Sequence, residues 1–462
     1  MVAMAMERGP QAALKTKLPF IVGAVSVGTL LEWYGFYLYS GLSGSLTPQF
    51  FPDGLDHGIL YSIGIFWTGF AVRPVGAVLF GHVGDRIGRK FALVATLSTM
   101  GAASFVMGCL PGFASAGWAA PLLLVLCRLA QGVAMGGEYG GAVTYVAEQA
   151  PAGKRGLYTS WLQTTATLGI VLALLVILCC RLGLGDRAFA DWGWRVPFWL
   201  GAVLVGLSIY IRQTFDESPL FARMKQQGRL AANPARESFS DLKNGRLMGL
   251  ALFGAAAPEG VIWYTGQFYA LDYLTTVLKL PYVTVQLMMM VVLLGAAPFF
   301  VVFGALSDRV GRRNVMTLGF LLAAISYWPV FSWMAAVKDS PLLLGVLVFY
   351  MVLLAAMVYG PIAAFLVEIF PARVRYTSMA LPYHVGNGVF GGLVPIAGAA
   401  IATALGGPLY GLLYPIGLAA LGVAVSIAGL PARSDAMRDG EGAGGPPPPT
   451  PGHPPGQLPG QP

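Results

Sequence analysis

Stretches of 18 or more apolar residues recur along most of this 462-residue chain, and nothing else in it restricts folding so severely. About 20 helical residues at 1.5 Å each cross a hydrocarbon layer roughly 30 Å thick, so each run is long enough to span a bilayer. The composition agrees, with 56% apolar and only 11% charged residues. A soluble domain carries about 25% charged residues, so a water-soluble enzyme is excluded. The fold class expected is an all-α membrane protein.

Charged and Pro/Gly-rich breaks divide the apolar sequence into twelve transmembrane helices, at 18–46, 59–80, 91–110, 120–147, 157–180, 196–212, 247–272, 283–303, 314–335, 341–367, 379–405 and 408–430. Lys and Arg fix their direction, because basic loops stay on the cytoplasmic side. Of 29 such residues, 22 fall in the two tails and in alternate loops, which makes both termini cytoplasmic. The net charge of +8 is accounted for by this asymmetry and is no argument for a nucleic-acid partner. Cys109, Cys127, Cys179 and Cys180 lie in or at the edge of apolar runs without C-x-x-C spacing, and read as packing residues. From about Arg433 the chain turns Pro/Gly-rich, a composition that cannot bury enough apolar surface to order itself. The expected organisation is a cytoplasmic N-tail (1–17), a six-helix half (18–212), a cytoplasmic central loop (213–246), a second six-helix half (247–430) and a disordered tail (431–462).

The division into halves comes from an internal repeat. Residues 81–90, Gly-His-Val-Gly-Asp-Arg-Ile-Gly-Arg-Lys, return at 304–313 as Gly-Ala-Leu-Ser-Asp-Arg-Val-Gly-Arg-Arg. Glu148, Pro151 and Arg155 return with the same internal spacing as Glu368, Pro371 and Arg375. Two pseudo-symmetric halves of six spans are the duplication that builds secondary transporters, with the binding site between the halves near the bilayer midplane. In the repeated turn, Gly81, Gly88 and Gly311 allow a tight reversal, while Asp85 and Asp308 can meet a helix N-terminus or a neighbouring arginine. With Arg86, Arg89, Arg309, Arg312 and the Glu148/Arg155 and Glu368/Arg375 pairs, they are candidates for a cytoplasmic gate that breaks when the cavity opens inward.

These residues carry a family resemblance. The two copies of the turn, and Arg128-x-x-Gln131-Gly132 in the fourth span, resemble the loop and fourth-helix motifs of the major facilitator superfamily. Glu32-Trp33-Tyr34, Arg73-Pro74, Gly136-Gly137-Glu138, Trp192 to Phe198, Glu217-Ser218-Pro219 and Glu368-Ile-Phe-Pro with Arg375-Tyr-Thr-Ser are similar to its metabolite:proton symporter branch. That branch includes 2-oxoglutarate, citrate, shikimate and proline/betaine transporters. The resemblance covers about 18–430 and implies an integral inner-membrane monomer that takes a small carboxylate or zwitterion together with protons, without a cofactor. One departure is Gly35, where branch members usually carry an aspartate; coupling here then falls to Glu32 alone, to another acid, or is absent.

Ionisable groups inside spans are expensive unless paired or facing a cavity, so each is a candidate site. Glu32 and Arg128 fall at similar depth and can pair. Protonating the glutamate would then free the arginine for a substrate carboxylate. Arg73 and Glu138 come out nearer the cytoplasmic side, which suits a gate or a packing pair. Glu259 lies mid-span without a basic partner, which suits it to carry a proton. Tyr39, Gln131, Trp263, Gln267, His384 and Asn387 are candidates to line the cavity.

Other signals are set aside. Gly386-x-Gly388-x-x-Gly391 lies in an apolar span with no preceding strand, so its glycines read as points of close helix approach, not a dinucleotide site. The same holds for Gly132, Gly136 and Gly140. No phosphate-binding G-x-x-x-x-G-K-[ST] loop occurs, and the four histidines are too scattered for a metal site. A proton-coupled importer is therefore expected, against a non-transporting nutrient sensor of the same fold or a proton-coupled antiporter. A membrane enzyme has no catalytic constellation behind it.

Overall fold

The computed structural model describes residues 10–51 and 58–431. Residues 1–9 of the expected N-tail and 432–462 of the C-terminal tail lie outside that range. Twelve spans run through the described residues. They are α1 (Pro10–Gly41), α2 in two pieces (Gly58–Ala71 and Arg73–Arg86), α3 (Arg89–Cys109), α4 (Ala119–Gln149), α5 (Arg155–Leu184) and α6 (Val196–Gln213), followed by α7 (Leu242–Val277), α8 (Tyr282–Val310), α9 (Arg312–Ala336), α10 (Pro341–Ile369), α11 (Arg375–Ala404) and α12 (Leu413–Gly429).

Eleven of these elements are single helices long and apolar enough to cross a membrane. The exception is α2, whose pieces are 14 residues each. At 1.5 Å per residue neither reaches much beyond about 21 Å. The break falls at Val72, two residues before Pro74, whose ring lacks an N–H and crowds the carbonyl of Phe70. Taken as one broken span, α2 makes the twelfth. The expected end of the first span is also corrected: α1 stops at Gly41, and Ser43–Phe50 forms a separate short helix. The central loop is shorter than expected, since α7 begins at Leu242, capped by Asp241 accepting from the Lys243 amide at 2.9 Å.

Gly88 (φ +151°) and Gly311 (φ +97°) sit at equivalent places in the repeated turns. The backbone reverses there in a conformation that side chains disfavour, so α3 follows α2, and α9 follows α8, almost without a loop. Large apolar side chains such as Phe20, Leu122, Val203, Val291 and Leu342 face outward, where lipid would solvate them. The interior joins helices through small residues. A Cβ at Gly136 would lie 2.9 Å from the Arg73 carbonyl carbon, so α4 and α2 meet backbone to backbone. The halves join chiefly where α5 runs along α8 and where α11 begins beside the end of α2.

Candidate functional site

The repeated turns are where each half holds the other. Asp85, at the end of α2, accepts hydrogen bonds from the Thr377 amide (2.9 Å), the Thr377 hydroxyl (2.9 Å) and the Tyr376 amide (3.3 Å), all in the first turn of α11. Asp308, at the end of α8, accepts from the amides of Gly156 (3.0 Å) and Leu157 (2.8 Å) in the first turn of α5. A helix start has amides with no partner along the chain and a partial positive charge, so a carboxylate there gains on both counts. Arg89 pairs with Asp85 at 3.1 Å and reaches the Ala372 carbonyl of the other half at 3.2 Å. Arg375 meets Glu148 at 3.2 Å, again between halves, and the Ser218 hydroxyl donates to the same carboxylate. In the second copy Arg312 bridges Asp308 (2.6 Å) and Glu368 (3.1 Å). Gly81 packs directly on Thr377, and Arg155 opens α5 in a buried position. Arg86 and Arg309, expected to belong to this network, are exposed and enter none of its bonds.

At mid-depth the pairing differs from the expected one. Neither carboxylate oxygen of Glu32 has a hydrogen-bond partner, and no ion pair joins it to Arg128. Arg128 instead donates to the Phe36 carbonyl (3.1 Å) and the Gln131 side-chain oxygen (2.8 Å), folded over the rings of Phe36 and Tyr39. Gln131 passes the connection on to the Ser104 hydroxyl at 2.9 Å. Gly35 faces the same place: a Cβ on it would lie 3.1 Å from that hydroxyl. Glu32 follows Gly28 and Thr29 by one turn on the same face of α1, and those residues meet Arg212 and Glu138.

Glu138 does not meet Arg73. It pairs with Arg212 at 2.9 Å and accepts from Thr29 at 2.8 Å and Thr96 at 3.3 Å. Arg212 also donates to the carbonyls of Leu93 (3.1 Å) and Val25 (3.2 Å). Arg212, the last residue of the expected sixth span and not among the expected site residues, is buried among α1, α3 and α4. A signal for it exists in Gly28, where a Cβ would stand 2.6 Å from the Arg212 guanidinium carbon. Arg73 lies over the rings of Phe70 (4.2 Å), Phe36 (4.5 Å) and Trp33 (5.1 Å) with no carboxylate in range among the described residues.

The remaining candidates gather where the halves meet. Trp33 of α1 approaches Trp263 of α7 (centroids 6.5 Å apart), and Phe70 of α2 approaches Tyr264 (5.9 Å). Glu259 accepts from the Asn387 side-chain amide at 3.2 Å. That contact is made possible by Gly260, where a Cβ would lie 2.7 Å from the Asn387 Cα, and by the π-helical turn His384–Gly391 in α11. Below it Tyr139 of α4 stacks on Tyr383 of α11 with centroids 3.5 Å apart and planes within 5°. The Tyr383 and Tyr359 hydroxyls are bonded at 2.8 Å, and His384 stands edge-on to the Tyr383 ring. The side-chain amide of Gln267 and the indole N–H of Trp263 are buried without hydrogen bonds. Tyr39 lies with Arg128 and not in this group.

This arrangement, two six-span halves latched at duplicated turns with polar groups between them, has known counterparts. Residues 21–432 match the family described as sugar (and other) transporter. The chain belongs to that family, within the major facilitator superfamily. This transporter is 37% identical over 374 residues to the alpha-ketoglutarate permease of Escherichia coli (strain K12), covering 80% of this chain and 84% of the permease. It is 35% identical over 402 residues to the inner membrane metabolite transport protein YhjE of the same strain, covering 85% and 90% of the two chains. The citrate-proton symporter of Salmonella typhi is 33% identical over 383 residues, covering 82% and 86%. Among solved structures, the proton:xylose symporter XylE bound to 6-bromo-6-deoxy-D-glucose superposes with a TM-score of 0.70, covering 93% of this chain and 99% of that one. At 19% identity that likeness establishes the fold of the transporter alone.

Proposed function

We propose that this transporter is a monomeric importer of a small organic acid or zwitterion, coupled to protons and working by alternating access between halves 18–212 and 247–430. It sits in the bacterial inner membrane with both termini cytoplasmic, which makes the face carrying the repeated turns the cytoplasmic one. The observation that carries the reading is that Glu32 and Glu259, one buried acid in each half, have no cation bonded to them. The other buried carboxylates of the described residues, Asp85, Glu138 and Glu148, each have an arginine.

A proton arriving from outside is held on the carboxylate of Glu32 or Glu259. Glu32 and Glu138 both lie within reach of Arg212, so protonation of one acid decides which of them the guanidinium serves. Substrate occupies the space between the halves, and the cytoplasmic latches at Asp85 and Asp308 then release. Rebinding of the aspartates to the starts of α11 and α5 restores the outward-accessible form. Gly35 leaves this scheme without an acid beside Ser104.

The test is uptake of 2-oxoglutarate, citrate, shikimate and betaine into proteoliposomes under an imposed inward proton gradient, for wild type, Glu32→Gln and Glu259→Gln. Accumulation in the wild type and its loss in at least one variant is the expected result. No accumulation of any of them refutes import, and accumulation retained in both variants refutes the proton sites.

A further inference from the structure

We infer that Arg73 is the anion anchor of the central site, and that the site is shaped for a flat monocarboxylate. This rests on the transport reading above and names its substrate class.

Arg73 opens the second piece of α2, directly after the break at Val72. It is 1% exposed, and its Nε and Nη2 have no hydrogen-bond acceptor. Those two atoms form the side edge of the guanidinium, the pair of parallel donors that takes both oxygens of a carboxylate at once. The other buried arginines of the membrane interior are served. Arg128 has the Phe36 carbonyl and Gln131, while Arg212 has Glu138 and two carbonyls. Among the described residues the groups lying over Arg73 are ring faces, which attract a cation weakly and leave its Nε and Nη2 unused. A buried guanidinium in that condition is costly unless an anion arrives to complete it.

Its position is open to both halves. Phe70 beside it touches Tyr264 of α7, and a Cβ at Gly388 of α11 would stand only 3.6 Å from its Cδ. A solute bound there is held by α1 and α2 on one side and by α7 and α11 on the other, as release to either face demands. The hydroxyls of Tyr37 and Tyr264 and the indole N–H of Trp263 are buried and unbonded in the same region. They offer polar contacts at the rim of an otherwise aromatic enclosure.

The charge count sets the class. Arg128 shares the Phe36 ring with Arg73 (4.2 Å) but donates to the Phe36 carbonyl and Gln131, so among the described residues Arg73 is the cation here whose Nε–Nη2 edge is unused, while Glu259 is held by Asn387 of α11. A second carboxylate on the solute would find the neighbouring Arg128 already taken by protein acceptors. Trp33 and Trp263, from opposite halves, touch one another with centroids 6.5 Å apart, so a flat apolar body attached to one carboxylate is received between them as the halves part.

Tryptophan fluorescence of the purified full chain tests this, since Trp33 and Trp263 flank the site. Benzoate, its neutral isostere benzamide and the dianion terephthalate are the probes. Saturable binding of benzoate, roughly tenfold or more tighter than either of the others, is expected for wild type, this being the weight of one lost charge-assisted pair. Arg73→Lys weakens benzoate roughly tenfold, and Arg73→Gln abolishes its advantage over benzamide. Wild-type protein that binds benzoate and benzamide equally, or terephthalate more tightly than benzoate, overturns the proposal even if Arg73→Gln fails to fold. A folded Arg73→Gln that keeps the benzoate preference overturns it as well. Arg73-dependent benzoate binding without gradient-driven uptake of any carboxylate refutes transport and leaves the anchor standing. Citrate or 2-oxoglutarate uptake with an unchanged KM in Arg73→Gln does the reverse.

Discussion

The Glu138–Arg212 pair predicts a particular failure of additivity. Glu138→Gln preserves shape but removes the charge from a carboxylate that accepts from Arg212 at 2.9 and 3.3 Å and from Thr29 and Thr96 at 2.8 and 3.3 Å. Arg212 is left with the carbonyls of Val25 and Leu93. Removing one partner of a buried ion pair costs about 3–5 kcal/mol, because the other charge stays buried. Glu32, unbonded and within reach of the same guanidinium, can recover part of that loss. Glu138→Gln alone should therefore cost about 2 kcal/mol, Glu32→Gln alone under about 1 kcal/mol, and the double variant about 4–5 kcal/mol. The excess of about 1–3 kcal/mol is the coupling between two acids that share one cation. Unfolding of the purified protein by titration with SDS, followed by tryptophan fluorescence, gives all three values. Energies that add to within about 0.5 kcal/mol would show that Glu32 does not replace Glu138, and the shared-cation reasoning would fall.

Three further outcomes follow from the same geometry. Gly28→Ala places a methyl 2.6 Å from the Arg212 guanidinium carbon and should cost about 1–3 kcal/mol in the same titration. Gly23→Ala, five residues earlier on α1 with nothing within 4 Å, should stay within about 0.5 kcal/mol of wild type. Asp85→Asn and Asp308→Asn each weaken a helix cap by about 0.5–2 kcal/mol, which raises the population open on that face roughly 2- to 30-fold. Met379 of α11 is buried against Thr144 of α4, across the halves; faster maleimide labelling of Met379→Cys in a cysteine-free background would register the opening, and unchanged rates would show that the caps do not hold the face shut. Asn387→Leu strips Glu259 of its donor and should lower stability by about 1–3 kcal/mol. In a Glu259→Leu background the same change should be nearly silent, and an equal loss in both backgrounds would dissociate the two residues.

The spans are legible in the sequence because lipid imposes length and apolarity on each of them independently. The break in α2 goes unread, since 59–80 is expected as one span, although Arg73-Pro74 is a dipeptide that disfavours helix before it. The repeated turns are legible for a different reason: a duplicated Asp at fixed spacing has to satisfy the same local geometry twice. Side-chain pairing at mid-depth is not legible in this way. Helical rise fixes the height of Glu32 and Arg128 but leaves their bearing around each helix axis open, and an arginine is long enough to bond a carbonyl a turn away, as Arg128 does with Phe36. Arg212 escapes notice because a charge at the end of an apolar run reads as a boundary. In three dimensions α6 packs against α1 and α3, and Arg212 at its end is buried on Glu138. The Glu259–Asn387 contact depends on glycine crossings and a π-helical turn, features set by packing between distant segments and not by local propensity.

The aspartates of the repeated turns act across the molecule, so each half carries the stopper for an open end in the other. Parting the halves along that face bares the amides of Gly156, Leu157, Tyr376 and Thr377 together. Among the described residues the two aspartates are the side chains bonded to them, so water must enter at both places as the gap forms. A half produced alone would start α5 or α11 with those amides bare, whereas the two halves made as separate chains carry all that is needed to seal one another on meeting.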